Sequence, residues 1–315
     1  MIKYLPILFL LQLHLLGYSQ SSVWYFEKAK ESQDAGDYQR ALIFYNKAIR
    51  QSPQNYDYLM ARSYYFCCLI NNPKKSLEDI NRAILIKSDQ SEAYAQRANI
   101  YYLLNHIDKS IKDYIHALQF TSSDSFKIEI YHGLFNAHLS KRQYSNGLED
   151  LYEILKIDSL EINALINISY CKYWLGQTKE ALQVLEKVIQ LDSNSTIAYL
   201  NLGKYTSELG LYQKSLEYLN KAEAMGSQDP YLYNKKGYTL YMLSDTTGAL
   251  KYINKSISID IRNSYAFLNR GLVYQLQGKY HEACNDWKNA LKLNFTEDYG
   301  LKVKQLLAQY CKNKF

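Results

Sequence analysis

Apolar and polar positions fall in helix-length amphipathic stretches that come in pairs. The two members of a pair are separated by short turns such as Gly36-Asp37-Tyr38, Asn71-Asn72-Pro73, Gly176-Gln177-Thr178, Gly210-Leu211-Tyr212 and Gly278-Lys279-Tyr280. Helix, turn, helix is therefore the expected unit, and it repeats. A bulky residue followed three places later by alanine occurs at Tyr45/Ala48, Ile80/Ala83, Tyr114/Ala117, Leu219/Ala222 and Trp287/Ala290. Extended through Ile154, Val188 and Ser256, the marker recurs at spacings of 35, 34, 37, 34, 34, 34 and 34 residues. Small residues mark two further places, one per helix: Ala29 with Ala41, Ala98 with Ser110, Gly203 with Ser215, Gly237 with Ala249, and Gly271 with Ala283. Small side chains let two helix backbones approach where they cross, and the bulky marker fills the space beside the crossing.

This pattern resembles the tetratricopeptide repeat, most plainly in Tyr199-x-x-Leu202-Gly203 through Ala222 and in Phe267-x-x-Arg270-Gly271-x-x-Tyr274 through Ala290. The resemblance spans nearly the whole chain and implies an all-α, right-handed superhelical solenoid of antiparallel helix pairs. Eight repeats are expected over 22–297, beginning near 22, 57, 91, 128, 162, 196, 230 and 264. The second departs from the pattern with Tyr64 at a small site. The fourth carries Phe135 and Ile154 where small residues are usual, and three extra residues, Ser125 to Lys127, precede it. Residues 298–315, with apolar Leu301, Val303, Leu306, Leu307 and Tyr310, are expected to form a helix that caps the exposed end of the last repeat.

The first residues change the setting. Lys3, an apolar run from Tyr4 to Leu16 and then Gly17-Tyr18-Ser19 match a secretory signal peptide over 1–19, and the run is too short for a spanning helix of roughly twenty residues. No cysteine stands near the expected cleavage point. An exported chain, periplasmic or secreted, with no further transmembrane segment is the expectation. Cleavage removes Lys3 and no acid, taking the formal charge from +6 to +5. That charge is dilute, and basic residues cluster only as pairs such as Lys74-Lys75, so nucleic acid is not an expected partner.

Five cysteines are present. Cys284 and Cys311 lie nearly equidistant from the turn near 295–298, so an antiparallel hairpin brings them side by side and a disulfide between them is expected. Cys67 and Cys68 fall on a helix and read as packing residues. Phosphate-cradling glycine loops, G-x-S-x-G, H-E-x-x-H and C-x-x-C are absent from the sequence. His132 and His138, six apart, lean to different helix faces. No cofactor, metal site or catalytic set is expected.

The resemblance implies that ligands lie along the concave face, lined by positions two, five, nine and twelve of each first helix. Those positions supply Tyr58 and Tyr65; Asn99 and Tyr102; Asn163, Tyr170 and Tyr173; Tyr231, Asn234, Tyr238 and Tyr241; and Tyr265. Tyrosine totals 32 of 315 residues, so composition alone places some there. Rigid amphipathic rings with little entropy to lose suit a protein or peptide partner. A non-catalytic interaction scaffold is the leading expectation, and a carbohydrate-binding accessory protein of the cell envelope, using the same rings, is the alternative. The Lys/Asn clamp of chaperone-binding family members is not reproduced, since Phe26 and Lys30 occupy its places in the first repeat.

Overall fold

The computed structural model describes residues 21–293 and 300–311; the expected signal segment 1–19, and residues 298–299 and 312–315 of the expected cap, lie outside them. Among the described residues there are seventeen α-helices and no strands. They divide at Ile157/Asp158 into two compact units.

The first unit holds α1 (Ser22–Asp34), α2 (Tyr38–Gln51), α3 (Tyr56–Tyr64), α4 (Pro73–Ile86), α5 (Ser91–Leu103), α6 (Ile107–Leu118), α7 (Asp124–Ser140) and α8 (Tyr144–Ile157). The second holds α9 (Ile162–Trp174), α10 (Thr178–Leu191), α11 (Thr196–Glu208), α12 (Tyr212–Ala224), α13 (Pro230–Met242), α14 (Thr246–Ile259), α15 (Ser264–Leu276), α16 (Tyr280–Lys292) and α17 (Gly300–Tyr310). In both, each odd-numbered helix up to α15 packs most extensively on the even-numbered helix that follows it, and α17 packs on α16.

Local chemistry sets the helix ends. Asn55, Asn72, Asp229, Asp245 and Asn263 each accept from a backbone amide two or three residues on, satisfying donors that the first turn leaves free. Every intra-pair turn carries one residue with positive φ, at 36, 71, 105, 142, 176, 210, 244 and 278. The residue after each donates to the carbonyl five residues back, as in Asp37 to Ser32 and Leu211 to Thr206, or six back in Asn72 to Phe66. Glycine fills four of these sites at little cost, while Asn71, Asn105, Arg142 and Ser244 hold a conformation that a Cβ disfavours.

The small-residue rule acts as packing demands. A Cβ on Gly203 would come within 2.6 Å of Leu219, on Gly237 within 2.4 Å of Ile253, and on Gly271 within 2.3 Å of Trp287. These three glycines therefore let the marker side chain of the second helix lie against the backbone of the first.

Arginines clip the repeats together. Arg62 donates to both carboxylate oxygens of Asp79 at 2.7 Å and to Asn46 at 2.6 Å. Arg97 does the same to Asp113 and Asn81, and Arg270 to Asp286 and Asn254. Each guanidinium bonds the second helix of its own pair through a bidentate fork and that of the preceding pair through the asparagine. In the fourth pair His138 meets Asp150 at 2.6 Å instead, and burial is the main cause that raises the Asp150 carboxyl.

The two irregular repeats find different solutions. In the second, the first helix begins at Tyr56, and Ser63 rather than Tyr64 is fully buried at the crossing, exchanging hydroxyl-to-carbonyl hydrogen bonds with Ser76. A π-helical turn, Tyr65–Leu69, takes up the extra residue and carries both Cys67, buried, and Cys68, exposed. In the fourth, the added residues lengthen α7 to 17 residues. Phe135 is buried there, and the position twelve residues on is Gly147 rather than Ala or Ser, which offsets the large ring with the smallest partner.

At the end of the second unit α17 lays Val303, Leu306, Leu307 and Tyr310 on the core around Phe267, Leu272 and Trp287. Cys284 and Cys311 are joined by a disulfide with Cα atoms 6.0 Å apart.

Candidate functional site

Within each unit, first helices also touch one another: α5 with α7 in the first, and α9, α11, α13 and α15 in succession in the second. Side chains reaching across these contacts build two surfaces, one per unit.

In the first unit, a cavity of about 280 Å³ lies between α5, α6 and α7, lined by Ala95, Asn99, Tyr102, Tyr114, Phe126, Glu129, Ile130, His132, Gly133 and Asn136. Its floor is Tyr114, whose hydroxyl donates to the Asn99 side-chain oxygen at 2.6 Å and is pushed up to about 12 by burial. Gly133 makes room for that ring, since a Cβ there would stand 2.3 Å from it. Tyr102 accepts from Ser140 of α7 at 3.1 Å. The expected site residues Asn99 and Tyr102 thus meet in one concavity with the His132 imidazole, the Asn136 amide and the Glu129 carboxylate.

In the second unit, Tyr173 of α9 stacks on Tyr205 of α11 with centroids 4.4 Å apart and planes 8° from parallel, and donates to the Glu208 carboxylate. The Lys204 ammonium stands over the Tyr173 ring at 4.2 Å. On α13, Lys235 lies 5.2 Å from the Tyr231 ring, and Tyr238 and Tyr241 tilt against each other at 6.1 Å. Burial lowers the Lys204 amine, and burial with repulsion from Lys204 takes the Lys235 amine down to about 8, opposed by Glu208. Burial likewise raises the Tyr205, Tyr238 and Tyr241 hydroxyls.

Tyr170, Tyr173, Tyr231, Tyr238, Tyr241 and Tyr265 are half-buried, and Asn99, Asn163 and Tyr102 are exposed. Three expected site residues belong to the interior instead. Tyr58 is 5% exposed and stacks on Phe26, and Tyr65 is 1% exposed with its hydroxyl donating to the Tyr38 carbonyl. The cause is register: with α3 starting at Tyr56, the positions expected to face the ligand fall on Asp57 and Tyr64, both exposed. Asn234 is 1% exposed and accepts from Asn269 at 2.9 Å, joining α13 to α15.

Lys204, Glu208 and Lys235 were not among the expected residues. The same register applied to the sixth repeat lands on Lys204, whereas Lys235 falls outside it and carries no sequence signal beyond being a lysine among tyrosines. Among the described residues, no three His, Cys, Asp or Glu side chains converge as a metal site, and no helix is long and apolar enough to cross a membrane.

Family models for the tetratricopeptide repeat match residues 24–55 and 91–124 in the first unit and 163–195 in the second. A crystal structure of a tetratricopeptide repeat protein from Parabacteroides merdae is similar over 80% of this chain and 98% of its own, with TM-score 0.68 and 17% identity. The APC/C hetero-tetramer Cut9-Hcn1 is similar over 87% of this chain and 53% of the matched one, with TM-score 0.62 and 12% identity. At these identities the likeness is one of fold, and it agrees with the helix pairs, their crossings and their turns. Tetratricopeptide repeats are thus found in both units, and the helix pairs around them share the fold of these structures.

Proposed function

We propose that this protein is a non-catalytic scaffold that binds a protein or peptide on the surface formed by its first helices. Tetratricopeptide repeats suggest protein–protein interaction in general. The narrower reading rests on one observation: half-buried tyrosines of the second unit lie on α9, α13 and α15, three of the four first helices that touch in succession there. Such rings present contact area at low entropic cost and keep a hydroxyl for orientation. The same reading extends to the cavity of the first unit, whose mixed amide and aromatic lining suits a peptide side chain. Export to the periplasm or beyond, inferred from residues 1–19, sets where the partner is met.

The test is selection of binding peptides from a random library on the purified chain, repeated with Tyr170→Ala, Tyr238→Ala and Tyr241→Ala combined. Peptides enriched by the parent and released by the variant, with helicity unchanged, support the reading. Equal retention by both moves the site elsewhere. Enrichment of glycans on an array in place of peptides replaces the protein-binding reading with carbohydrate binding.

A further inference from the structure

The cavity of about 280 Å³ between α5, α6 and α7 owes its shape to the irregular fourth pair. Phe126 belongs to the three extra residues that lengthen α7, and its ring lines the cavity while packing on the core of the first unit. Gly133, also on α7, is the second departure. Glycine inside a helix costs stability, and here it leaves the room that the Tyr114 ring takes at the cavity floor.

The charge of the lining is equally particular. Among the lining residues Glu129 is the one acid, and no lysine or arginine stands with it. Among the described residues no cationic nitrogen lies within 4.0 Å of its carboxylate. Other acids of α6 and α7 are paired, Asp108 with Lys141 at 2.5 Å and Asp124 with Lys127 at 3.2 Å. The places three and four residues from Glu129 along α7 hold Ser125, Phe126, His132 and Gly133, so its own helix offers it no lysine or arginine. The neutral groups, by contrast, hold one another: Tyr114 donates to Asn99, and Ser140 to Tyr102. What the concavity leaves unmatched is one carboxylate in the company of the Tyr102 and Phe126 rings.

We infer that this cavity seats one basic side chain of the bound peptide, with Glu129 as its counter-ion, an inference that rests on the first helices being the binding face. A cation is attracted both by the carboxylate and by the ring faces, and the cavity walls displace part of the water that would screen the ion pair. Arginine suits the seat better than lysine. Its planar guanidinium bonds a carboxylate through two parallel N–H groups, stacks on a ring, and keeps donors for the side-chain oxygens of Asn99 and Asn136.

Random dodecamers with amidated C-termini are selected on the full chain, on Glu129→Gln and on Glu129→Lys. Glu129 is exposed, so both variants are expected to keep the parent's helicity. The expected result on the parent is arginine, and less strongly lysine, enriched at one position. The selected peptide binds Glu129→Gln about tenfold more weakly, and replacing its arginine by citrulline, a neutral group of nearly the same shape, costs about the same factor on the parent and little more on the variant. A merely structural role for Glu129 would instead weaken the arginine and citrulline peptides alike. On Glu129→Lys the enriched residue changes from basic to acidic.

Enriched peptides with no basic residue in common, or a citrulline peptide that binds the parent as tightly as the arginine one, overturn the seat. If such peptides are still released by the combined Tyr170, Tyr238 and Tyr241 substitutions, the binding face stands without it. Enrichment of no peptide at all, or of glycans in place of peptides, removes both.

Discussion

Replacing Lys235 by methionine is expected to make the protein more stable. The amine sits at about 8 against an ordinary 10.5, chiefly through desolvation, with Lys204 adding repulsion. At about 1.4 kcal/mol per pKa unit, keeping that group charged in the folded state costs about 3 kcal/mol near neutral pH. Methionine has similar length and no charge, so it fills the same path beside Tyr231 and removes that cost. The sign of the pH dependence follows from the direction of the shift. Because the folded-state pKa is lowered, the unfolded chain binds more protons between pH 8 and 10.5, and the parent gains stability as pH rises through that window. Below pH 8 the penalty is present in full; above about 10.5 it is gone. Urea unfolding of parent and variant, followed by far-UV circular dichroism at pH 7 and pH 10.5, measures the difference at each end. The expected gain is about 3 kcal/mol at pH 7, shrinking toward zero at pH 10.5. A variant that is less stable at pH 7, or a gain that does not change with pH, would refute the claim that this amine is held desolvated and uncompensated.

Other perturbations address the scaffold. Arg142→Gly and Ser244→Gly relieve positive-φ backbone at two turns and are each expected to raise stability by roughly 1 kcal/mol, read as higher urea midpoints. Gly271→Ala sets a Cβ 2.3 Å from the rigid Trp287 indole and should cost roughly 1–3 kcal/mol, with a shifted tryptophan emission. Cys284→Ser/Cys311→Ser opens a link across 27 residues, worth up to about 3.5 kcal/mol on loop entropy, and should appear first as faster amide exchange in α17.

The periodicity was legible because its markers are steric: where two helices cross, only Gly, Ala or Ser admits the neighbouring marker, and that constraint prints itself at Gly203, Gly237 and Gly271. The turns were legible only where glycine or the Asn71-Asn72-Pro73 run announced them. Asn105, Arg142 and Ser244 adopt the same left-handed backbone without glycine, because the hydrogen bonds that close the turn impose it. The candidate site was less readable. A register counted from a uniform repeat start put Tyr58 and Tyr65 on the surface, whereas α3 starts one residue earlier, at Tyr56, and both turn inward. Lys204 and Lys235 look like ordinary solvent-facing lysines in one dimension. Their character comes from burial among rings contributed by three different helices, which no local pattern encodes.

The central claim is that partners engage the first helices rather than the second. A photoreactive benzoylphenylalanine placed at Tyr238 on α13, and separately at the exposed Glu217 on α12, tests it most directly with a selected peptide as the partner. The account predicts a covalent adduct from position 238 and none from 217; an adduct from 217 with none from 238 would contradict it.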